Sequence, residues 1–271
     1  MLEFGWFTTG RDEAARQLLD TVLTNIRQGE INGRIQFVFI SREPGESRES
    51  DNLIATETRS GLPVSALSYE KYKASNKGAT TGQTRGWPEW RTRYDQEVVR
   101  LLKPFSPSIC VMAGYMLILS PDMCRAFCFL NLHPAVPGGF TGTWQEVMWK
   151  LIQSRSSHAG AMMHLVTPEL DRGPAATYFR CPIQGAEFAP LWKEIEGKHL
   201  HEIQRIEGEN NRLFKLIRHH ELTRELPLIV KTLKAFGDGR IAIKDNRLTD
   251  RQGRTIQPYD LTLEIEESLK H

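Results

Sequence analysis

The first 66 residues alternate between apolar runs of strand length and amphipathic runs of helical length, and this alternation constrains the fold more than any other feature of the chain. Residues 2–9 and 34–40 are apolar runs bounded by polar or glycine-containing segments. Between them, residues 11–28 place Ala15, Leu18, Leu19, Val22 and Ile26 on one helical face, with Asp12 or Thr9 in position to cap it. A Pro-Gly-punctuated loop at 42–50 leads into a second helix at 51–60, stopped by Gly61, and a short third strand at 62–66. Strands joined through helices in this order lie parallel, with right-handed crossovers, in a doubly wound sheet. Further strands are expected at 108–113 and 127–132. Runs at 160–166 and 175–182 are expected to pair antiparallel across the loop that holds Asp171. Helices are expected at 94–102 and 144–154. The predicted class is α/β, a mixed, mostly parallel sheet flanked by helices.

Two stretches fall outside this rhythm. Residues 72–90, rich in Gly, Thr, Lys and Arg, show no apolar period and read as an insertion loop. Its basic and aromatic surroundings (Lys71, Lys73, Lys77, Arg85, Trp87, Trp90, Arg91, Arg93) raise phosphate contact and base stacking as a use, against a solvated insertion or a substrate lid. Residues 191–209 form a charged helical stretch. A long helix follows at 213–236, with Pro227 expected to kink or restart it. Residues 240–244 and 254–257 read as a hairpin. The chain divides at this level into a core, 1–185, and a helical extension with a hairpin packed on it, 186–271.

Composition bounds the function classes. With 271 residues and 25% charged residues the composition is that of an ordinary globular protein, and a formal net charge of +2 forces no conclusion about nucleic acid or membranes. Its longest apolar run, 109–119, is far short of the roughly 20 residues that span a bilayer. No basic-then-apolar leader opens the chain. The four cysteines (Cys110, Cys124, Cys128, Cys181) lack metal-site spacing and read as free thiols in a reducing cytosol, so no metal is expected.

The chemistry concentrates in one stretch. Phe129-Leu130-Asn131-Leu132-His133-Pro134-Ala135-Val136-Pro137 is an apolar strand that delivers an amide and an imidazole at its carboxyl end. Open α/β sheets bind ligands outside that end of their strands. Alone, an Asn-x-His at a strand end is an ordinary turn. With Asp171, 38 positions past His133, it becomes a candidate acid/base constellation.

Three ordered motifs, Ala113-Gly114-Tyr115-Met116-Leu117-Ile118-Leu119-Ser120-Pro121, Asn131-Leu132-His133-Pro134 and Asp171-Arg172-Gly173-Pro174, resemble the formyltransferase family over about residues 35–182 and again near 213–243. The resemblance implies a Rossmann-like formyltransferase fold and formyl transfer from 10-formyltetrahydrofolate to a small-molecule amine, without a metal. The family's catalytic Asn, His and Asp fall on Asn131, His133 and Asp171. Its folate pocket falls on Met116, Leu117, Ile118 and Leu119 and on Val166, Thr167, Glu169 and Leu170. The same residues, 116–119, also read as plain core.

The acceptor side departs from the pattern. The phosphate loop implied by the family here reads Thr8-Thr9-Gly10-Arg11-Asp12-Glu13, with two acids at the helix start where an anion would sit. Gly10, Arg11, Asp12, Glu13, Arg91, Gly114, Tyr115 and Pro134 are the candidate acceptor contacts. Arg91 resembles the family's phosphate-side arginine. Glycinamide ribonucleotide, in purine synthesis, is the leading acceptor. A sugar amine, a specialised metabolite or water (the hydrolase reaction) are alternatives. A tRNA formyltransferase is disfavoured because residues 186–271 do not read as a barrel. A retired binding protein is disfavoured by retention of all three polar residues. A cytoplasmic protein without nucleic-acid or membrane partners is expected, and a homodimer stays open.

Overall fold

The computed structural model describes residues 1–76, 83–84, 87–167, 169–245 and 247–270, with backbone alone at 83, 84 and 87. From the N-terminus, strand β1 (Leu2–Thr8) is followed by α1 (Glu13–Arg27), β2 (Gly33–Ile40), α2 (Arg48–Arg59) and β3 (Val64–Ala66). Asp12 caps α1 by accepting from the Ala15 amide, and Ser47 caps α2 through the Ser50 amide. Next come α3 (Tyr69–Asn76), the two-residue strands β4 (Gln83–Thr84) and β5 (Trp87–Pro88), α4 (Glu89–Leu102), β6 (Ile109–Met112), α5 (Pro121–Ala126) and β7 (Phe129–His133). The remainder comprises α6 (Trp144–Gln153), β8 (His158–Leu165), β9 (Ala175–Pro182), α7 (Ala189–Glu194), α8 (Leu200–Glu207), α9 (Arg212–Gly237), β10 (Ala242–Lys244), β11 (Arg247–Thr249), β12 (Tyr259–Asp260) and α10 (Thr262–Ser268).

The main sheet among the described residues has the order β12-β9-β8-β7-β6-β1-β2-β3. Strands β3, β2, β1, β6 and β7 are parallel, β8 and β9 are antiparallel additions, and β12 lies parallel to β9. This is the mixed, mostly parallel sheet expected from the alternation. The chain winds from β1 outward to β3, then returns to lay β6 on the other side of β1. The carboxyl ends of β1 and β6 therefore splay apart around a crevice, as they do at any topological switch point.

The period of two in β1 divides the core. Phe4 and Trp6 join Leu18, Leu19, Ile217 and Leu233 on the α1/α9 face, while Phe7 packs with Phe37, Phe39, Phe129 and Tyr94 on the α4 face. Phe7 meets Phe37 and Phe129 edge-on at ring-centroid distances of 5.7 and 5.0 Å.

Several local expectations are corrected. Part of the expected 72–90 loop is helix: Tyr69 and Tyr72 both rest edge-on against Tyr94, at 5.5 and 5.4 Å, which anchors α3 to α4. Residues 77–82 and 85–86, including Lys77 and Arg85, lie outside the described residues. Three of the basic residues read as nucleic-acid contacts are paired with acids, Lys71 with Glu43 and Glu46, Arg91 with Asp95, and Arg93 with Glu89. The helical stretch expected at 191–209 takes the form of two short helices, α7 and α8, followed by a single 3-10 turn at Gly208–Asn210. Pro227 does not restart α9, which continues through it for 26 residues; Ile217, Leu228, Ile229 and Leu233 bury its length against the sheet, and that packing outweighs one lost amide donor. The hairpin is tighter than expected, β10 pairing with β11, while 254–257 contributes a single bridge, Thr255 to Thr249. No helix among the described residues is long and apolar enough to cross a membrane.

Candidate active site

A cavity of about 490 Å³ opens at the carboxyl ends of β1, β6 and β7. Asn131, His133 and Asp171 all line it. Alternation along β7 sends Phe129, Asn131 and His133 to one face and Leu130 and Leu132 to the other. The β7–β8 register sets Asn131 opposite His164.

His133 is buried, and both of its ring nitrogens face oxygens. Nε2 donates to the Phe140 carbonyl at 2.8 Å, and Nδ1 lies 3.6 Å from Asp171 Oδ1. A doubly protonated ring would thus find an acceptor on each side. Asp171 reaches the imidazole from a left-handed backbone position, φ 53°, which Asp tolerates better than most residues. Its second oxygen accepts the Gly142 amide at 3.0 Å.

His164 holds Asn131. Burial pushes its imidazole down to about 4, so the ring is neutral at physiological pH. Nδ1–H donates to the Leu165 carbonyl at 2.9 Å, leaving the Nε2 lone pair to receive one hydrogen of the Asn131 amide at 3.2 Å. The other amide hydrogen is left for the cavity, an arrangement suited to stabilising an oxyanion.

The expected folate stretches form one wall. Met116, Leu117, Ile118, Leu119, Val166, Thr167 and Leu170 line the cavity; Glu169 does not, although its carbonyl accepts from Thr167 Oγ1 at 3.2 Å. The 116–119 loop is held by its backbone. Met116 N donates to Thr9 Oγ1 at 3.0 Å, the Ile118 carbonyl accepts from Arg91, and Ser120 N donates to Asp95 Oδ2 at 2.7 Å. Gly114 starts this loop at φ 67°, and a Cβ there would meet the Ala15 Cβ at 3.0 Å.

The acceptor candidates divide. Arg11, Asp12, Gly114, Tyr115 and Pro134 line the cavity. Gly10 sits behind it against Leu53 and Ile40, and Glu13 turns away to pair with Arg16. Arg91 is also away from the cavity surface: it is buried in an ion pair with Asp95, and its remaining reach goes to the Ile118 carbonyl. It acts on the wall of the site from behind, since the guanidinium is buried and its contacts run to Asp95 and the Ile118 carbonyl rather than into the cavity.

A family model described as Formyl transferase matches residues 14–189, which contain all three residues of the trio. The chain belongs to the formyl transferase family. It is 27% identical over 182 residues to the phosphoribosylglycinamide formyltransferase of Schizosaccharomyces pombe, covering 65% of this chain and 80% of that one. It is also 27% identical to the Saccharomyces cerevisiae enzyme of the same name, over 57% and 72%. Among solved structures, glycinamide ribonucleotide transformylase 1 from Symbiobacterium toebii superposes with a TM-score of 0.63 at 21% identity, covering 92% of this chain and 94% of that one, which is a likeness of fold.

Within this formyl transferase, the cavity-lining residues that sequence reasoning missed include His164, Trp144, Arg218 and Glu225. His164 had no local signal, because its meeting with Asn131 depends on the register of an antiparallel pair. Arg218, Glu221 and Glu225 did carry one, since positions i, i+3 and i+7 share a helix face. Thr143 and Glu146, at a spacing of three, form a capping box that fixes the start of α6 beside the site. The transferase's thiols stay out of the chemistry. All four are free, and burial raises each above its ordinary range, Cys124 to about 11.

Proposed function

We propose that the protein transfers the formyl group of 10-formyltetrahydrofolate to the primary amine of glycinamide ribonucleotide. The observation that carries this reading is the convergence of Asn131, His133 and Asp171 on one cavity with a largely apolar wall beside it. In this reading the folate ring system lies along residues 116–119 and 166–170, and the acceptor enters past the start of α1 and the face of α9. The names of the yeast relatives support the acceptor.

The reaction forms a bond from the amine nitrogen to the formyl carbon and breaks the bond from that carbon to the folate nitrogen. Between these events the formyl oxygen carries negative charge, which the free hydrogen of the Asn131 amide and the His133 ring would stabilise. The attacking nitrogen must lose a proton and the leaving nitrogen must gain one. Asp171, facing His133 and anchored by the Gly142 amide, is the group suited to receive the first. The folate is a co-substrate, and the reading places the enzyme in the cytosol.

The test is an absorbance assay with a 10-formyl-folate analogue, with glycinamide ribonucleotide and without any amine. Turnover only with the ribonucleotide is expected. Turnover without an amine would make the protein a hydrolase, and donor binding without turnover in either case would assign it a different amine.

A further inference from the structure

Three consecutive residues, Phe140, Thr141 and Gly142, hold both His133 and Asp171 through their backbone. The Phe140 carbonyl accepts from His133 Nε2 at 2.8 Å, and the Gly142 amide donates to Asp171 Oδ2 at 3.0 Å. The carbonyl between them, that of Thr141, accepts from Lys150 Nζ at 2.7 Å. A carbonyl can only accept, so His133 carries its proton on Nε2.

The two ends of this segment are fixed locally. On one side the Gly139 amide donates to the Val136 carbonyl at 2.9 Å. On the other, the Thr143 amide donates to Glu146 Oε2 at 2.8 Å as part of the capping box that opens α6. The middle depends on Lys150. This lysine stands two turns along α6 from the Thr143 cap, and helical side chains lean toward the N-terminus, which carries its stem back to the segment. It is half-buried and its ammonium makes no ion pair among the described residues. Its charge is therefore spent on one backbone oxygen, a hydrogen bond of the stronger, charge-assisted kind.

We infer that Lys150 is a positioning residue for the His133–Asp171 pair: by gripping the Thr141 carbonyl it sets the 140–142 segment where Phe140 orients the imidazole and Gly142 anchors the carboxylate. The inference rests on the roles proposed above for His133 and Asp171.

The experiment combines steady-state kinetics, using the folate analogue and glycinamide ribonucleotide, with NMR of protein labelled with nitrogen-15 at histidine. The chains compared are the wild type, Lys150→Met, Lys150→Gln and Lys150→Arg. Methionine keeps the stem and loses the donor, glutamine is shorter and uncharged, and arginine keeps a cationic donor. In the wild type the His133 Nε2–H, buried against a carbonyl, should give a slowly exchanging resonance, assigned by its absence from His133→Ala. Lys150→Met and Lys150→Gln should each lower kcat by about tenfold or more, with both KM values within about twofold, and should speed exchange of that proton. Lys150→Arg should recover kcat to within about threefold of the wild type. A lower melting temperature with kcat and the resonance unchanged would make Lys150 a residue of the fold alone and overturn the inference. A raised KM at unchanged kcat, or an arginine variant no better than methionine, would overturn it as well. Loss of the resonance with wild-type kcat would instead overturn the roles given to His133 and Asp171, and the inference with them.

Discussion

Asn131 donates its side-chain amide to Nε2 of His164, 3.2 Å away, and the neutral state of that histidine fixes which way the amide points. A protonated His164 would present a second N–H to Asn131 in place of a lone pair, and the hydrogen bond would be lost.

This gives a pH dependence of stability. Above about pH 6.5 the His164 imidazole is neutral in folded and unfolded chains alike and carries no penalty. Below that, the unfolded chain takes up a proton that the folded chain refuses until about pH 4. Stability should therefore fall across this window, by about 3 kcal/mol, and level off beneath it. Urea melts of the wild type and His164→Gln from pH 7 to pH 4 test this. The stability of the wild type relative to the variant should fall by that amount over the interval, and parallel curves would exclude His164 as the source.

Asp171→Asn should lower kcat by at least about 100-fold while leaving the thermal midpoint close to the wild type. Asparagine tolerates the left-handed backbone at this position and can still accept from the Gly142 amide, so geometry survives while the charge facing His133 is lost. His133→Ala should be comparably inactive. Near-native turnover in either variant, measured with the folate analogue, would remove the trio's assigned roles.

Arg91→Ala should behave as a stability variant with a donor-side defect. It leaves Asp95 buried and uncompensated, at a cost of about 3–5 kcal/mol, and releases the Ile118 carbonyl. A lower melting temperature and a raised KM for the folate are expected. A raised KM for the acceptor alone would restore Arg91 to the phosphate role that its sequence context suggested.

Gly114→Ala should cost about 1–3 kcal/mol, since alanine at φ 67° is strained and its Cβ would press on Ala15. The strain falls where the folate wall begins, so donor affinity should drop with stability. Isothermal titration of the folate analogue and a thermal melt measure both.

The sheet was legible because its strands are short apolar runs separated by helices with clear faces, and the 37 residues between His133 and Asp171 were bridged by a family motif rather than by any local pattern. Arg91 shows where sequence reading fails. An arginine ahead of Tyr94-Asp95 looks the same whether it turns toward a ligand or toward the aspartate one helical turn away, and here the nearer carboxylate prevails. Glu13 misleads for a similar reason, since its helix offers Arg16 one turn on. Tyr69 and Tyr72 sit in a polar stretch without apolar periodicity, yet their contacts with Tyr94 order a helix there. Side chains that find a partner far along the chain, as Asn131 does in His164, leave no trace in local spacing.

The cleft's two walls have separate foundations. The 116–119 loop is tied to α4 and the end of β1 through Arg91, Asp95 and Thr9, whereas the opposite wall is carried by α6 and α9, with the α7–α8 segment joined to them by the contacts of Glu209 with Gln145 and of Glu194 with Arg212. If the folate docks on the first wall and the acceptor on the second, as proposed, a lineage carrying this fold can exchange the recipient of its one-carbon unit by remodelling one long helix and its neighbours, while the carrier that delivers the unit goes on docking against an untouched surface.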